Sequence, residues 1–232
     1  MTKKLRGRKL IGYLWDYYKF AFIIAGILLY ILFYIISGCS LHKDSVLYMA
    51  MVNFVPGDDM TRDLTDGFLE EEGLDSSKQN ITLYNNLILT SDNTDDSGRE
   101  YSYAAKMKIL GAVNAGKLDV VLMDDEAFKA FSQNGLLMDL TQLQGKVPSE
   151  LYKEAENRFT DGTEILEDNA VEIALSEVKD YKADTAVYPM GIRLNGLPRI
   201  SDQLNGTLYL GIIKNSPRAG EAFNYLAFLN EN

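Results

Sequence analysis

The chain has 232 residues, 47% of them apolar, with 23 Lys and Arg against 33 Asp and Glu for a net charge of −10. Six of the basic residues and only one acidic residue fall in the first 38 positions, so everything after them carries −15. Such an acidic body excludes a nucleic-acid partner, because phosphate binding needs a basic surface. One cysteine, Cys39, and one histidine, His42, exclude an intrachain disulfide and leave no ligand set for structural zinc and no Cys–His catalytic pair in the body of the domain.

Residues 1–19 form a basic and aromatic segment with Lys3, Lys4, Arg6, Arg8, Lys9 and Lys19 against Asp16. Phe20 to Ile36 then holds no charged residue, and the uncharged run continues through Leu41. At about 1.5 Å of rise per residue, roughly 20 such residues cross a bilayer core of about 30 Å. The run covers every face of a helix, which separates it from an amphipathic core helix. Residues 20–41 are therefore expected to be a single-pass transmembrane helix held by membrane lipid. Basic flanks stay on the cytoplasmic side, which puts the amino end in and residues 42–232 outside the cell membrane. Tyr13, Trp15, Tyr17 and Tyr18 suit the headgroup layer. Ile36-Ser37-Gly38-Cys39 also resembles the lipobox of bacterial lipoproteins, in which Cys39 would be lipidated and the leader cleaved. The length of the run favours the retained helix.

Ser45 to Phe54 reads as a buried strand closed by the turn signal Val55-Pro56-Gly57-Asp58. Asp58 or Asp59 caps a helix through about Glu72, with Met60, Leu64 and Phe68 on one face. Ile81 to Leu89 is a second strand and Ser91 to Gly98 a loop, whose acids depart from the EF-hand spacing. Tyr101 to Val113 reads as a helix with Ala104, Met107, Lys108, Leu110 and Gly111 packed along it. Gly116 ends that helix, Leu118 to Met123 is a short buried strand, and Asp124 caps a helix running to Gln133, with Ala127, Ala130 and Phe131 inward and Gly135 as its stop. This spacing argues for a βαβ unit with a parallel sheet. Ser149 to Phe159 reads as a helix and Val171 to Leu175 as a strand.

The stretch from Ala115 to Leu143, AGKLDVVLMDDEAFKAFSQNGLLMDLTQL, resembles a segment of bacterial extracytoplasmic solute-binding proteins, the type 2 periplasmic-binding-protein family. Thr185 to Gly191 resembles the family's hinge strand with its apolar-Pro turn, and Leu208 to Leu229 its returning strand and helix. The resemblance covers about half of the outer domain. It implies a three-layer, mostly parallel α/β domain corresponding to one lobe, or a reduced form, since only Pro148 to about Asp184 stands where the family carries a second lobe.

In an open α/β sheet a ligand sits beyond the carboxyl ends of the strands, beside helix amino termini. The candidate ligand-binding residues are therefore Asn53 and Phe54, then Met123, Asp124 and Asp125, then Tyr188 and Met190. The two aspartates favour an amine or hydroxyl-rich ligand, although Asp124 also fits a plain helix cap and Tyr188 a rim aromatic. No nucleophile elbow, Ser–Lys pair or phosphate loop is present, so no enzyme activity, no metal and no cofactor are expected. The expected partners are a small solute or peptide at the cell surface, or a membrane partner protein or wall polymer if the domain is a non-transport interaction module.

Overall fold

The computed structural model describes residues 8–41, 43–90, 96–166, 184–200 and 206–231. It divides into two units, Met1–Lys43 and Asp44–Asn232. In the first, helix α1 runs Arg8–Leu41. Its side chains are described from Tyr18 to Tyr34 and are exposed, Phe20 and Leu29 by about two thirds. Among the described residues no helix is long and apolar enough to cross a membrane. Cys39 falls within α1, its side chain outside the described residues.

The second unit is an α/β domain on a six-stranded sheet, ordered β2-β1-β3-β6-β5-β4. The strands are β1 (Asp44–Val52), β2 (Gln79–Leu87), β3 (Val120–Met123), β4 (Phe159–Ile165), β5 (Thr185–Arg193) and β6 (Tyr209–Ile212). β1 pairs in parallel with β2 and β3, whereas β3–β6, β6–β5 and β5–β4 are antiparallel. The sheet is therefore mixed, which corrects the mostly parallel expectation. Among the described residues, the parallel strands β1, β2 and β3 are the ones joined by helical crossovers. β4 and β5 lie side by side in antiparallel register, and β6 returns beside β3 in the opposite direction.

Helices cover both faces. On one lie α2 (Asp58–Arg62), a π-helical turn (Asp63–Gly67), α3 (Phe68–Glu71), α6 (Ser149–Glu156) and α7 (Ala219–Asn230), with Leu64, Phe68, Tyr152, Phe223 and Tyr225 buried against Met49, Leu122 and Ile212. On the other lie α4 (Asp96–Asn114) and α5 (Asp125–Gln133), with Ile109, Val113, Phe128 and Phe131 buried against Val52, Val121 and Met123. Leu64 and Phe68 face the core as the spacing predicts, but the cap is Gly57 without a side-chain bond, and Asp58 and Asp59 fill the first turn instead. The π turn lets Phe68 and Leu69 both point inward, and the buried Tyr225 hydroxyl donates to the Leu64 carbonyl at 2.9 Å. Burial pushes that phenol far above its ordinary range.

Two boundaries differ from the sequence reading. α4 begins at Asp96, inside the expected loop, whose residues 91–95 are outside the described set. α6 ends at Glu156, and Phe159 opens β4 because its side chain packs edge-on to Tyr152, at 5.6 Å, rather than continuing the helix. The strand expected at Val171–Leu175 lies outside the described residues.

Glycines set how closely α5 sits on the sheet. Ala50, Val121, Gly211 and Gly191 form one row across four strands. A Cβ on Gly191 would stand 2.6 Å from the Phe128 ring, which is itself stacked on Tyr209 at 4.8 Å. The ring has no room to retreat. Gly191→Ala is expected to destabilise the domain by about 1–3 kcal/mol through overpacking, read as a fall in Tm, with Phe128→Leu in the same chain recovering part of it.

Candidate functional site

β1 lies between β2 and β3, and the two crossovers run on opposite faces of the sheet: the α2–α3 segment from β1 to β2 on one, α4 from β2 past β1 to β3 on the other. The point where the connections diverge is the carboxyl end of β1 and β3, the place where open α/β sheets form a ligand crevice. Val52 pairs with Met123 there, so Asn53, Phe54, Met123 and Asp124 are brought together as the sequence implies. Their side chains, however, are directed to different tasks.

Asn53 carries a positive φ of 54°, a left-handed conformation that asparagine tolerates better than most residues. That turn aims its amide at the chain leaving β2. Its Oδ1 accepts from the Leu89 N–H at 2.7 Å and its Nδ2 donates to the Leu89 carbonyl at 2.7 Å, a two-point pairing that imitates a strand neighbour. The same Nδ2 donates to Asp124 Oδ1 at 3.1 Å, and that oxygen also accepts the Ala127 N–H at 2.9 Å as the α5 cap. The crevice is thus crossed by the chain's own hydrogen bonds. Phe54 and Met123 are buried in the two cores on opposite faces of the sheet.

Asp125 is exposed on the first turn of α5 and bonds the Tyr209 hydroxyl. Burial, and then this bond to the carboxylate, raise the Tyr209 phenol above its ordinary value. Tyr209 was not visible as a site residue in the sequence, where it belongs to an unbroken apolar run.

Tyr188 and Met190 are not at this edge, which corrects their placement. β5 does not turn at Pro189 but continues to Arg193, and it is Arg193 that shares the row of Tyr209 and Met123. Tyr188 lies five residues back, about 16 Å along the strand. A register shift opposite Thr160 and Asp161 leaves Met190 as an extra residue. Met190 is consequently buried in the core beneath α5, with Tyr188 packed on the same cluster.

Beside the switch point a groove opens between α4 and α5. One part, about 140 Å³, has Leu89, Ile109, Phe131 and Leu136 in its walls; the adjoining part, about 260 Å³, is lined by Lys106, Lys129, Glu126 and Gln133. Among the described residues no group of three or more His, Cys, Asp or Glu side chains is placed to hold a metal ion. No family model, curated protein or solved structure matches this chain.

If Asn53 holds the switch point shut, Asn53→Ala costs about 2–4 kcal/mol, since two backbone groups of Leu89 lose their partner and alanine inherits the positive φ. Asn53→Asp keeps one acceptor but sets a second carboxyl against Asp124 and the Leu89 carbonyl, raising its pKa in the fold. A raised carboxyl pKa gives stability at low pH that is lost as pH rises through it. Urea unfolding is expected to show the Asn53→Asp deficit relative to wild type growing from pH 4 to pH 7, and the Asn53→Ala deficit showing no such growth.

Proposed function

We propose that the chain is a membrane-anchored extracytoplasmic domain that works as a non-transport interaction module, built on a framework resembling one lobe of a type 2 solute-binding protein and contacting a partner protein. The observation that carries this reading is the closed switch point. Asn53, Leu89 and Asp124 fill with mutual hydrogen bonds the crevice in which a solute would lie. A groove stays open nearby between two helices, where a protein segment docks more readily than a small polar solute.

Two further observations support the framework and the anchor. Two of the three sequence segments that carry the family resemblance meet at one buried residue: Asp119, just before β3, accepts from Ser216 Oγ at 2.7 Å and Arg218 Nε at 2.8 Å, joining the first segment to the loop of the last. In α1 the uncharged run from Phe20 presents large apolar side chains on all sides, Ile24, Leu28, Ile31 and Phe33 among them, a surface that lipid would cover at a gain of about 25 cal/mol per Å².

The second reading is capture of a small solute or peptide at the cell surface. It is favoured by the partial exposure of Asn53 and Asp124 and by the exposure of Asp125, which leave carboxylates within reach of an amine or hydroxyl-rich ligand. A thermal-shift screen of amines, amino acids, sugars and peptides separates the two. The module reading expects no small molecule to raise Tm by more than a degree or two, and expects a membrane protein to co-purify. Stabilisation by one solute class, abolished in Asn53→Ala, gives the function to the second.

Anchorage has its own test. Mass spectrometry of the amino terminus after detergent extraction is expected to find the leader retained. A terminus at a diacylglyceryl Cys39 assigns the lipoprotein route instead.

A further inference from the structure

Helix α4 is apolar on two faces, and only one of them is used by the core. Ser102, Ala105, Ile109 and Val113 are buried against the sheet. Tyr103, Met107 and Leu110, spaced at i, i+4 and i+7, form a second stripe that stands 66%, 51% and 40% exposed. Leu110 belongs at once to this stripe and to the wall of the groove against α5, so stripe and groove are one continuous apolar surface.

Its charge is opposite to that of its surroundings. Lys106 of α4 and Lys129 of α5 face each other across the groove with Glu126 as the acid in its lining, while Lys108 lies off the groove, its ammonium over the Tyr84 ring. This basic border lies on a body whose sequence sums to −15. The groove follows α5 from Glu126 to Asn134, about 12 Å, which is the length of about four residues in extended form.

We propose that this groove, with the outer stripe of α4 as its wall, seats a short apolar segment of a partner protein flanked by carboxylates. The proposal rests on the interaction-module reading and names the chemistry of that partner. Apolar side chains of the segment lie against Leu110, Ile109 and Phe131, and its flanking acids meet Lys106 and Lys129. A lipid surface fits less well, because the floor is concave and the acidic body is repelled by anionic headgroups.

The test uses the full chain in nanodiscs of zwitterionic lipid and two fluorescein-labelled peptides with the same leucine-phenylalanine-leucine core. One is flanked on each side by a pair of aspartates, its twin by a pair of lysines. Fluorescence anisotropy is expected to give the acidic peptide at least tenfold the affinity of its twin. Lys106→Glu with Lys129→Glu is expected to reverse that order, and Leu110→Asp to weaken the acidic peptide more than tenfold with little change in Tm. Equal affinities, no binding of either peptide, or a preference that survives the lysine reversals overturns the proposal. So does a Leu110→Asp defect confined to binding of phosphatidylglycerol vesicles, or to self-association of the chain. If a membrane protein co-purifies equally with wild type and Leu110→Asp, the module reading stands and the groove falls; if none co-purifies with wild type, the module reading itself falls.

Discussion

The fold depends on one buried carboxylate. Asp119 is fully excluded from solvent just before β3, where an unpaired charge would cost several kcal/mol. Its oxygens accept from the Tyr48 N–H in β1 at 2.8 Å, from Ser216 Oγ and from Arg218 Nε. Arg218 in turn donates to the Gly116 carbonyl at 2.8 Å, and its guanidinium lies over the Tyr48 ring at 4.7 Å. The backbone of Asp119 adds two bonds, donating to Tyr48 and accepting from Ile213. A single residue therefore holds the central parallel strand, the end of α4 and the antiparallel return of β6. Because each partner comes from a distant part of the chain, none can be satisfied until all have assembled, which makes this cluster a source of cooperativity rather than of local stability.

From that fixed edge the sheet extends to the opposite one, where Asn53 performs the corresponding work. There the chain leaving β2 has no further strand to pair with, and the Asn53 side chain supplies the missing donor and acceptor. A peptide-like group in a left-handed residue substitutes for a piece of β-ladder. The consequence for function is direct, since the same bonds occupy the space that the topology would otherwise offer to a ligand. The open groove lies to the side, at the seam between α4 and α5.

Where a residue's role is set by its immediate neighbours, the sequence made it legible. Asp124 caps α5, Gly116 and Gly135 take the positive φ that terminates α4 and α5, and β1, β3 and α5 lie close to where the apolar runs put them. Roles set by pairing across the sheet were not legible. The bulge that buries Met190 and carries β5 past Pro189 depends on β4, with which β5 pairs across an intervening stretch of sequence. The direction of β6 beside β3 is likewise absent from any local pattern. Asn53 lies at the end of β1 where the apolar run puts it, but its bonds to Leu89 were not legible, because a loop asparagine gives no indication of which backbone it will face.

α4 is the instructive failure, because two apolar periodicities are superposed on it. Ala104, Met107, Lys108, Leu110 and Gly111 are the residues expected to pack along it, and all five are exposed, while the buried set includes a serine. Periodicity reports that a face is apolar, not what covers it. Ser102 is tolerated inside because its hydroxyl accepts the Thr90 N–H at 3.4 Å, whereas Tyr103, Met107 and Leu110 have no packing reason to be apolar. Leaving large apolar side chains in water next to a groove lowers solubility and adds nothing to the core. Such a stripe is consistent with a surface whose covering comes from elsewhere, and the lysines bordering it in an acidic domain restrict what that covering is.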